Sequence, residues 1–229
     1  DTTPENGVLN LENKKYTANG NDTEIWVNKN ITINGQGAIL DADKKINIMS
    51  IGNSGTVAIN NLTFTKGVGS SFGSALYVSG NLNVNNCIFV NNTSTYMGGA
   101  IGAYHGDMII TVINSTFSNN TADLEGGAIG MEAGDLIVIN STFSDNSAMG
   151  DNGGAGAIYG KNNVYVDNSK FENNSGQMAG SIAAMHLTVN NSNFTNNTAN
   201  IASEIYMGSS LNLSNSKFIE MNSTGHEII

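Results

Sequence analysis

The residues best suited to chemistry in this 229-residue chain are concentrated near the middle of the sequence. They are one tyrosine, one histidine and three carboxylates: Tyr104, His105, Asp107, Glu132 and Asp135. An aromatic face beside imidazole and carboxylate groups can bind a sugar, a peptide or a divalent cation. We therefore treat these five as candidate binding residues. Two solvated loops that bind nothing are the alternative interpretation.

Two other carboxylates, Asp41 and Asp43, are separated by one residue and would lie on the same side of an extended segment. A glycosidase needs two carboxyl groups facing one groove, whereas a polar turn explains the same residues without catalysis. Lyases acting on uronates usually use arginine or lysine as a base, and the chain has no arginine. We expect no catalytic residue, no metal site and no cofactor. A polysaccharide-degrading enzyme is the less favoured hypothesis, and Ca²⁺ binding is compatible with the residues without being implied.

The elements that must position these residues follow from an internal repeat. Seven phenylalanines recur at intervals of 23 to 28 residues, at Phe64, Phe89, Phe117, Phe143, Phe171, Phe194 and Phe218. An asparagine stands three positions before each one, and a second stands three positions after five of them, as Asn92, Asn120, Asn146, Asn174 and Asn197. Apolar residues seven and five positions before each phenylalanine predict strands with one buried face.

A unit of this length is too short for a helical hairpin or a propeller blade and fits one coil of a solenoid. We predict an all-β fold, a right-handed single-stranded parallel β-helix of about eight to nine coils. Like residues then meet between coils, so the phenylalanines form an internal stack and both asparagine columns form hydrogen-bonded ladders. Asparagine also tolerates left-handed backbone geometry at the bends. Cys87, the only cysteine, stands where other units have serine, which favours a structural role.

The chain is predicted to be one domain over residues 1–229, with an N-terminal cap and first coils in 1–56 and the Phe/Asn repeats in 57–229. The last coil stops eleven residues past Phe218 without its third strand. Because an open solenoid end is prone to aggregate, we expect the chain to be part of a longer surface protein.

Two further columns are less regular. Apolar residues seven or eight positions after each phenylalanine predict a third buried column: Phe72, Met97, Leu124, Met178 and Ile201. Three tyrosines each follow a branched apolar residue of the next predicted strand: Tyr77, Tyr159 and Tyr206. They form either a packing column or an aromatic strip on which a carbohydrate could stack. The only tryptophan, Trp26, is interpreted as covering the N-terminal coil.

The formal net charge of −10 and the shortage of cations disfavour nucleic acid, anionic membranes and polyanionic sugars as partners. No apolar run is long enough to span a bilayer, so this part of the chain is not expected to insert into a membrane. Asparagine sequons make glycosylation a further candidate property, at Asn30, Asn61, Asn193, Asn212 and Asn222 among others. A chain this rich in Asn, Ser and Thr also produces sequons by chance.

Tetrapeptides such as Phe117-Ser-Asn-Asn120 alternate with Gly98-Gly-Ala-Ile101 and Gly126-Gly-Ala-Ile129. This pairing resembles the repeat of chlamydial polymorphic membrane proteins, and it is also similar to adhesin-like surface proteins of methanogenic archaea. The resemblance covers essentially the whole chain, although the Gly-Gly-Ala-Ile motif degrades to Gly180-Ser-Ile182 and Ser203-Glu-Ile205 in the later coils.

The resemblance implies an extracellular β-helix at the cell surface or cell wall. It favours a non-catalytic adhesin domain that binds glycans or proteins on partner cells or surfaces. A passive spacer that lifts another domain from the cell is the alternative, ahead of an enzyme.

Overall fold

The computed structural model describes residues 3–52, 55–150, 154–219 and 226–229. Within these ranges the chain is all-β, and its strands pair in parallel to form a β-solenoid of about eight turns. The predicted parallel β-helix is therefore confirmed.

The strands are short, and their bounds follow the repeat. The first fourteen are β1 (Gly7–Asn10), β2 (Lys15–Thr17), β3 (Ile25–Val27), β4 (Ile31–Asp41), β5 (Met49–Ile51), β6 (Thr56–Thr65), β7 (Val68–Gly69), β8 (Leu76–Val78), β9 (Asn81–Asn85), β10 (Ile88–Val90), β11 (Thr93–Ser94), β12 (Ile101–Ala103), β13 (Ile109–Ile113) and β14 (Thr116–Ser118). The others are β15 (Thr121–Ala122), β16 (Ile129–Met131), β17 (Asp135–Ile139), β18 (Thr142–Ser144), β19 (Ser147–Ala148), β20 (Ile158–Asp167), β21 (Lys170–Glu172), β22 (Ser175–Gly176), β23 (Ile182–Asn190), β24 (Asn193–Thr195), β25 (Thr198–Ala199), β26 (Ala202–Ser214), β27 (Lys217–Ile219) and β28 (His226–Ile228).

Each coil contributes to four stacks of strands, which we name by their position. The Val sheet contains β9, β13 and β17. The Phe sheet contains β10, β14, β18, β21, β24 and β27. The short sheet contains β7, β11, β15, β19, β22 and β25. The Ile sheet contains β3, β5, β8, β12 and β16. The long strands β20, β23 and β26 pass from the Ile sheet into the Val sheet.

The Phe sheet carries the predicted internal aromatic stack. Neighbouring rings from Phe64 to Phe218 are nearly parallel, with centroids 4.6–4.9 Å apart. Strand register extends this column towards the N-terminus through Leu40 to Tyr16, so the solenoid path already begins before the regular repeats. The rings from Phe64 to Phe194 are fully buried, whereas Tyr16 and Phe218 at the two ends are partly exposed.

The asparagines after the phenylalanines form a buried ladder, as predicted. In each step one amide nitrogen donates to the oxygen of the next asparagine, as from Asn120 Nδ2 to Asn146 Oδ1 at 3.0 Å. The same nitrogen also donates to a phenylalanine carbonyl, here that of Phe89 at 3.0 Å. These bonds satisfy both amide protons inside the core.

The asparagines before the phenylalanines match the prediction of left-handed bends but do not form a continuous ladder. They are exposed, and their backbones are left-handed, with φ near 50° from Asn61 to Asn215. Hydrogen bonds within this column are intermittent, as between Asn168 Nδ2 and Asn140 Oδ1 at 2.6 Å. Asparagine is favoured at this corner chiefly because it tolerates a positive φ.

The third apolar column is displaced by one residue in several coils. The register of the isolated bridges pairs Phe72 with Met97, and Met97 with Glu125 rather than with Leu124. Ala179 and Ala202 likewise stand where Met178 and Ile201 were predicted. Ala179 is buried and packs with Ala155 and Ala183 in a small apolar cluster.

Candidate functional site

The five predicted binding residues lie in and beside the turns that join the Ile sheet to the Val sheet. Tyr104 follows β12, and Glu132 follows β16 one coil later. His105 packs against Tyr104, with ring centroids 4.2 Å apart, and Asp107 is exposed. Asp135 begins β17, where strand register pairs it with Ile109, two residues after Asp107.

Glu132 belongs to a group that we name the carboxylate–tyrosine cluster: Tyr96, Tyr104, Glu125, Glu132, Tyr159 and Lys161. Lys161 in β20 forms an ion pair with Glu132, Nζ to Oε2, at 2.6 Å. The Lys161 side chain is 55% exposed and that of Glu132 only 18%. This hydrogen bond raises the pKa of Lys161, so the ammonium group is fixed as a charge at the surface.

Glu125 lies beside Glu132 and is in a less polar environment. Burial raises the pKa of Glu125 to about 7, and the charge of Glu132 and hydrogen bonding between the two carboxyls add to this effect. Lys161 acts in the opposite direction. Glu125 Oε2 is buried and accepts no hydrogen bond from any described residue. The pair therefore holds a proton near neutral pH, as two carboxyls sharing one site do.

Aromatic rings flank this carboxyl pair. Burial raises the pKa of the Tyr159 hydroxyl, and the charges of Glu125 and Glu132 raise it further, so Tyr159 stays a neutral hydrogen-bond donor. Phe72 joins Tyr96 and Tyr104 into one aromatic patch, with ring centroids 5.2 and 4.6 Å from its own. The surface thus combines aromatic faces with a carboxyl pair and an ammonium group, which is a usual composition for binding polar ligands.

Asp135 lies in a row of polar side chains across the Val sheet. Its Oδ1 accepts hydrogen bonds from the backbone nitrogen and the Nδ2 of Asn163, at 3.2 and 2.9 Å. One more coil along the row, His186 Nδ1 is 2.9 Å from Ser210 Oγ. These residues line a shallow groove of about 410 Å³. Asn163 stands between Asp135 and His186, so the groove does not hold a Ser-His-Asp relay.

The other candidate carboxylates are neutralised by lysines. The Asp41 side chain is 1% exposed and lies 2.5 Å from Lys15 Nζ and 3.1 Å from Lys66 Nζ. Burial raises its pKa, but the hydrogen bonds from Lys15, the Asp43 backbone and Lys66 outweigh burial and lower it. Asp43 pairs with Lys45 at 2.7 Å. This arrangement fits the polar turn rather than a catalytic pair.

The thiol of Cys87 is buried within a serine column. Its backbone nitrogen donates to Ser115 Oγ at 3.1 Å, and the same bond recurs between successive serines. Burial raises the pKa of the Cys87 thiol to about 11, so the reactive thiolate is scarce at neutral pH.

The candidate glycosylation residues differ in accessibility. Asn30 uses its side chain inside the structure, donating from Nδ2 to Glu5 at 2.7 Å and accepting at Oδ1 from the Thr56 backbone at 2.6 Å. Three others have exposed side chains: Asn61, Asn193 and Asn212. Asn222 lies outside the described residues.

Sequence reasoning missed Glu125, Lys161 and the contribution of Tyr159 to the cluster. Glu125 was missed because the adjacent Leu124 fits an apolar column better. The sequence pattern therefore assigned Leu124, one residue too early, to the position that pairs with Met97. Lys161 lies within the long strand β20, in a coil lengthened by an insertion, where no repeat position marks it. One feature of the sequence could have identified Glu125: it is a charged residue directly before the glycine pair that begins at Gly126.

Comparison with known protein families finds one match. Three segments, residues 86–104, 114–130 and 140–161, match the Chlamydia polymorphic membrane protein (Chlamydia_PMP) repeat. Searches of curated proteins and of solved structures gave no significant match. Over the described ranges, no helix has the length and hydrophobicity needed to cross a membrane, and no group of three or more His, Cys, Asp or Glu residues is placed to hold a metal ion.

Proposed function

We propose that this chain is a non-catalytic, cell-surface adhesin domain that binds a glycan or protein of a partner cell or surface through the carboxylate–tyrosine cluster. The polymorphic membrane protein repeats support this proposal, because that family is associated with outer cell surfaces. The observation that carries it is the joining of the Phe72–Tyr104 aromatic patch to the Glu132–Lys161 ion pair on one accessible side. Location outside the cell is part of the same proposal, as is binding without a metal ion or cofactor.

The charge of the chain narrows the class of partner. With a formal net charge of −10 and two adjacent carboxyls in the cluster, a polyanionic ligand would be repelled. A neutral glycan, or a protein segment that presents lysine or arginine, meets both the aromatic faces and the carboxyls favourably. We expect no nucleic acid and no direct membrane insertion.

The test compares binding of cluster variants to whole cells and to a glycan array. Tyr104→Ala and Glu132→Gln should each weaken binding, whereas Lys170→Gln should not, because Lys170 pairs with Glu172 on the Phe sheet, away from the cluster. A metal chelator should have no effect. Unchanged binding in both cluster variants would refute the proposal. If the whole surface protein carrying these substitutions still adhered to cells as the unsubstituted protein does, a passive spacer would be favoured.

A second candidate function is a polysaccharide-degrading enzyme, favoured by one observation. A carboxyl whose pKa is raised to about 7 by burial, as that of Glu125 is, is suited to act as a general acid. Turnover of any neutral polysaccharide that is lost in Glu125→Gln would establish catalysis. Absence of turnover across a broad panel, combined with retained binding, would leave the adhesin function alone.

Glycosylation of the exposed sequons completes the proposal for an extracellular protein. Asn61, Asn193 and Asn212 are the accessible acceptors, whereas Asn30 is held by its own hydrogen bonds. Mass spectrometry of protein isolated from its native source tests this directly. A glycan on Asn30 alone would contradict the accessibility argument.

A further inference from the structure

Trp26 lies in a second cleft, at the N-terminal end of the Ile sheet. We predicted that it covers the first coil, but it is 62% exposed. Strand register places it in one outward-facing column with Ser50 and then Tyr77. The space between these residues is a cleft of about 360 Å³, bounded on its far side by Phe72 and the turn before it. This volume falls in the range of small-molecule binding sites.

The spacing of this column leaves room for one ring. Neighbouring strands lie roughly 4.8 Å apart, so positions two coils apart are separated by about 10 Å. In the Phe sheet each coil supplies a ring, and centroids stack 4.6–4.9 Å apart. Here the middle coil supplies Ser50, which is buried and hydrogen-bonded to Glu24, so this position of the column carries no ring. A ring inserted above Ser50 would lie at stacking distance from both Trp26 and Tyr77.

The floor of the cleft is polar and rich in acceptors. Ser50 Oγ donates to Glu24 Oε2 at 2.7 Å, and Asn47 Nδ2 donates to the same oxygen at 2.8 Å. These bonds orient the Asn47 amide and leave its Oδ1 buried, with no hydrogen-bond partner among the described residues. A buried acceptor without a donor is destabilising. A ligand hydroxyl would satisfy it.

We infer that the cleft between Trp26 and Tyr77 binds a neutral sugar ring, with the apolar faces of the ring against the two aromatic side chains and a hydroxyl donating to Asn47 Oδ1. A pyranose has this combination, because its C–H faces are apolar and its edge carries hydroxyl donors. The Glu24 carboxylate disfavours uronic acids in the same position. Phe72 borders both this cleft and the aromatic patch of the cluster. The contacts inferred for the sugar are made by Trp26, Tyr77 and Asn47, so the inference does not depend on the function proposed for the cluster.

The single tryptophan of the chain makes the test direct, because all tryptophan fluorescence comes from Trp26, which borders this cleft. The 229-residue chain is titrated with glucose, galactose, mannose, N-acetylglucosamine and their disaccharides, and with glucuronate and a proline-rich peptide for comparison. We expect a saturable change in Trp26 emission with at least one neutral saccharide and none with glucuronate. Tyr77→Ala should weaken that binding by about tenfold, through loss of one stacking face.

The matched control is Tyr206→Ala, which removes a tyrosine from the same sheet at the opposite end of the described coils and should leave the titration unchanged. Far-ultraviolet circular dichroism and thermal unfolding verify that each variant is folded, and Tyr77→Phe should keep the binding. No saturable response to any neutral saccharide would overturn the inference, as would equal binding by Tyr77→Ala. A response to the peptide alone would assign the cleft to a protein partner instead.

The outcomes also separate this cleft from the proposed adhesin site. Loss of cell binding in Glu132→Gln with no sugar response at Trp26 would support the cluster and remove the cleft. A sugar response that persists in Glu132→Gln would support the cleft whatever the fate of the cluster.

Discussion

Replacing Asn146 by leucine should destabilise the solenoid far more than its small change in volume would indicate. Asn146 is fully buried in the asparagine ladder. Its Oδ1 accepts from the backbone nitrogen and the Nδ2 of Asn120, both at 3.0 Å. Its Nδ2 donates to the Phe117 carbonyl at 3.1 Å and to Asn174 Oδ1 at 2.9 Å.

The magnitude follows from the groups that leucine leaves without partners. Two donors of Asn120 would face a methyl group in the core, and the Phe117 carbonyl would lose a donor. Each unsatisfied buried donor costs about 1–3 kcal/mol, so we expect the free energy of unfolding to fall by about 4 kcal/mol. The assay is urea unfolding followed by circular dichroism, with hydrogen exchange at the Asn120 amide as a local readout.

The matched control is Asn119→Gly, one position before a ladder residue. Asn119 is exposed and has a φ of 53°, a conformation that glycine adopts freely, so stability should change by less than about 0.5 kcal/mol. If Asn146→Leu cost no more than this control, the ladder would be a consequence of the fold rather than a source of its stability.

Three other predictions concern single residues. Folding raises the pKa of Glu125 to about 7, so the folded state binds this proton more tightly than the unfolded state does. Thermal stability should therefore fall as pH rises from about 4.5 to 7, and Glu125→Gln should remove that dependence. Cys87 should resist thiol reagents in the folded protein and react only on unfolding, and Cys87→Ser should fold normally because serine occupies the equivalent position in other coils. Gly127→Ala should lower stability by about 3 kcal/mol or more, because its Cβ would lie 2.2 Å from a backbone oxygen of Gly156, whereas Gly20→Ala, with nothing within 4 Å, should be neutral in thermal unfolding.

The fold was predictable from the sequence because every coil repeats the same physical solution. A buried ring such as Phe117 and a ladder residue such as Asn120 recur with fixed spacing, and parallel stacking is the arrangement that brings all copies together. For the outer asparagine column the two expectations fared differently. The left-handed backbone expected of asparagine at bends is present, as at Asn140, whereas the ladder is only intermittent.

The candidate site was less predictable, because it depends on departures from the repeat. Glu125 takes an apolar position, and a register error of one residue reverses which side of the turn it faces. Trp26 lies in coils where the phenylalanine column is replaced by Tyr16 and Leu40, so the pattern gave no register there. The cleft at Trp26 becomes visible only when strand pairing places Ser50 beside it.

The asparagine ladder has a direction, and this determines what must stand at its end. Each amide donates towards the next coil, so the last one, Asn197, needs an acceptor from another source. Glu204 supplies it: its Oε2 accepts from Asn197 Nδ2 at 2.8 Å and from Ser181 Oγ at 2.9 Å. Strand register puts this glutamate where earlier coils have alanine, as at Ala157.

Glu204→Leu should therefore lower the free energy of unfolding by about 3 kcal/mol, because the Asn197 amide and the Ser181 hydroxyl both lose a buried acceptor. Glu204→Gln keeps a carbonyl oxygen at the same position and should cost less than half as much. Urea unfolding of the two variants measures the difference. Equal losses would mean that the glutamate acts by filling space, and the ladder would then have no specific terminal acceptor.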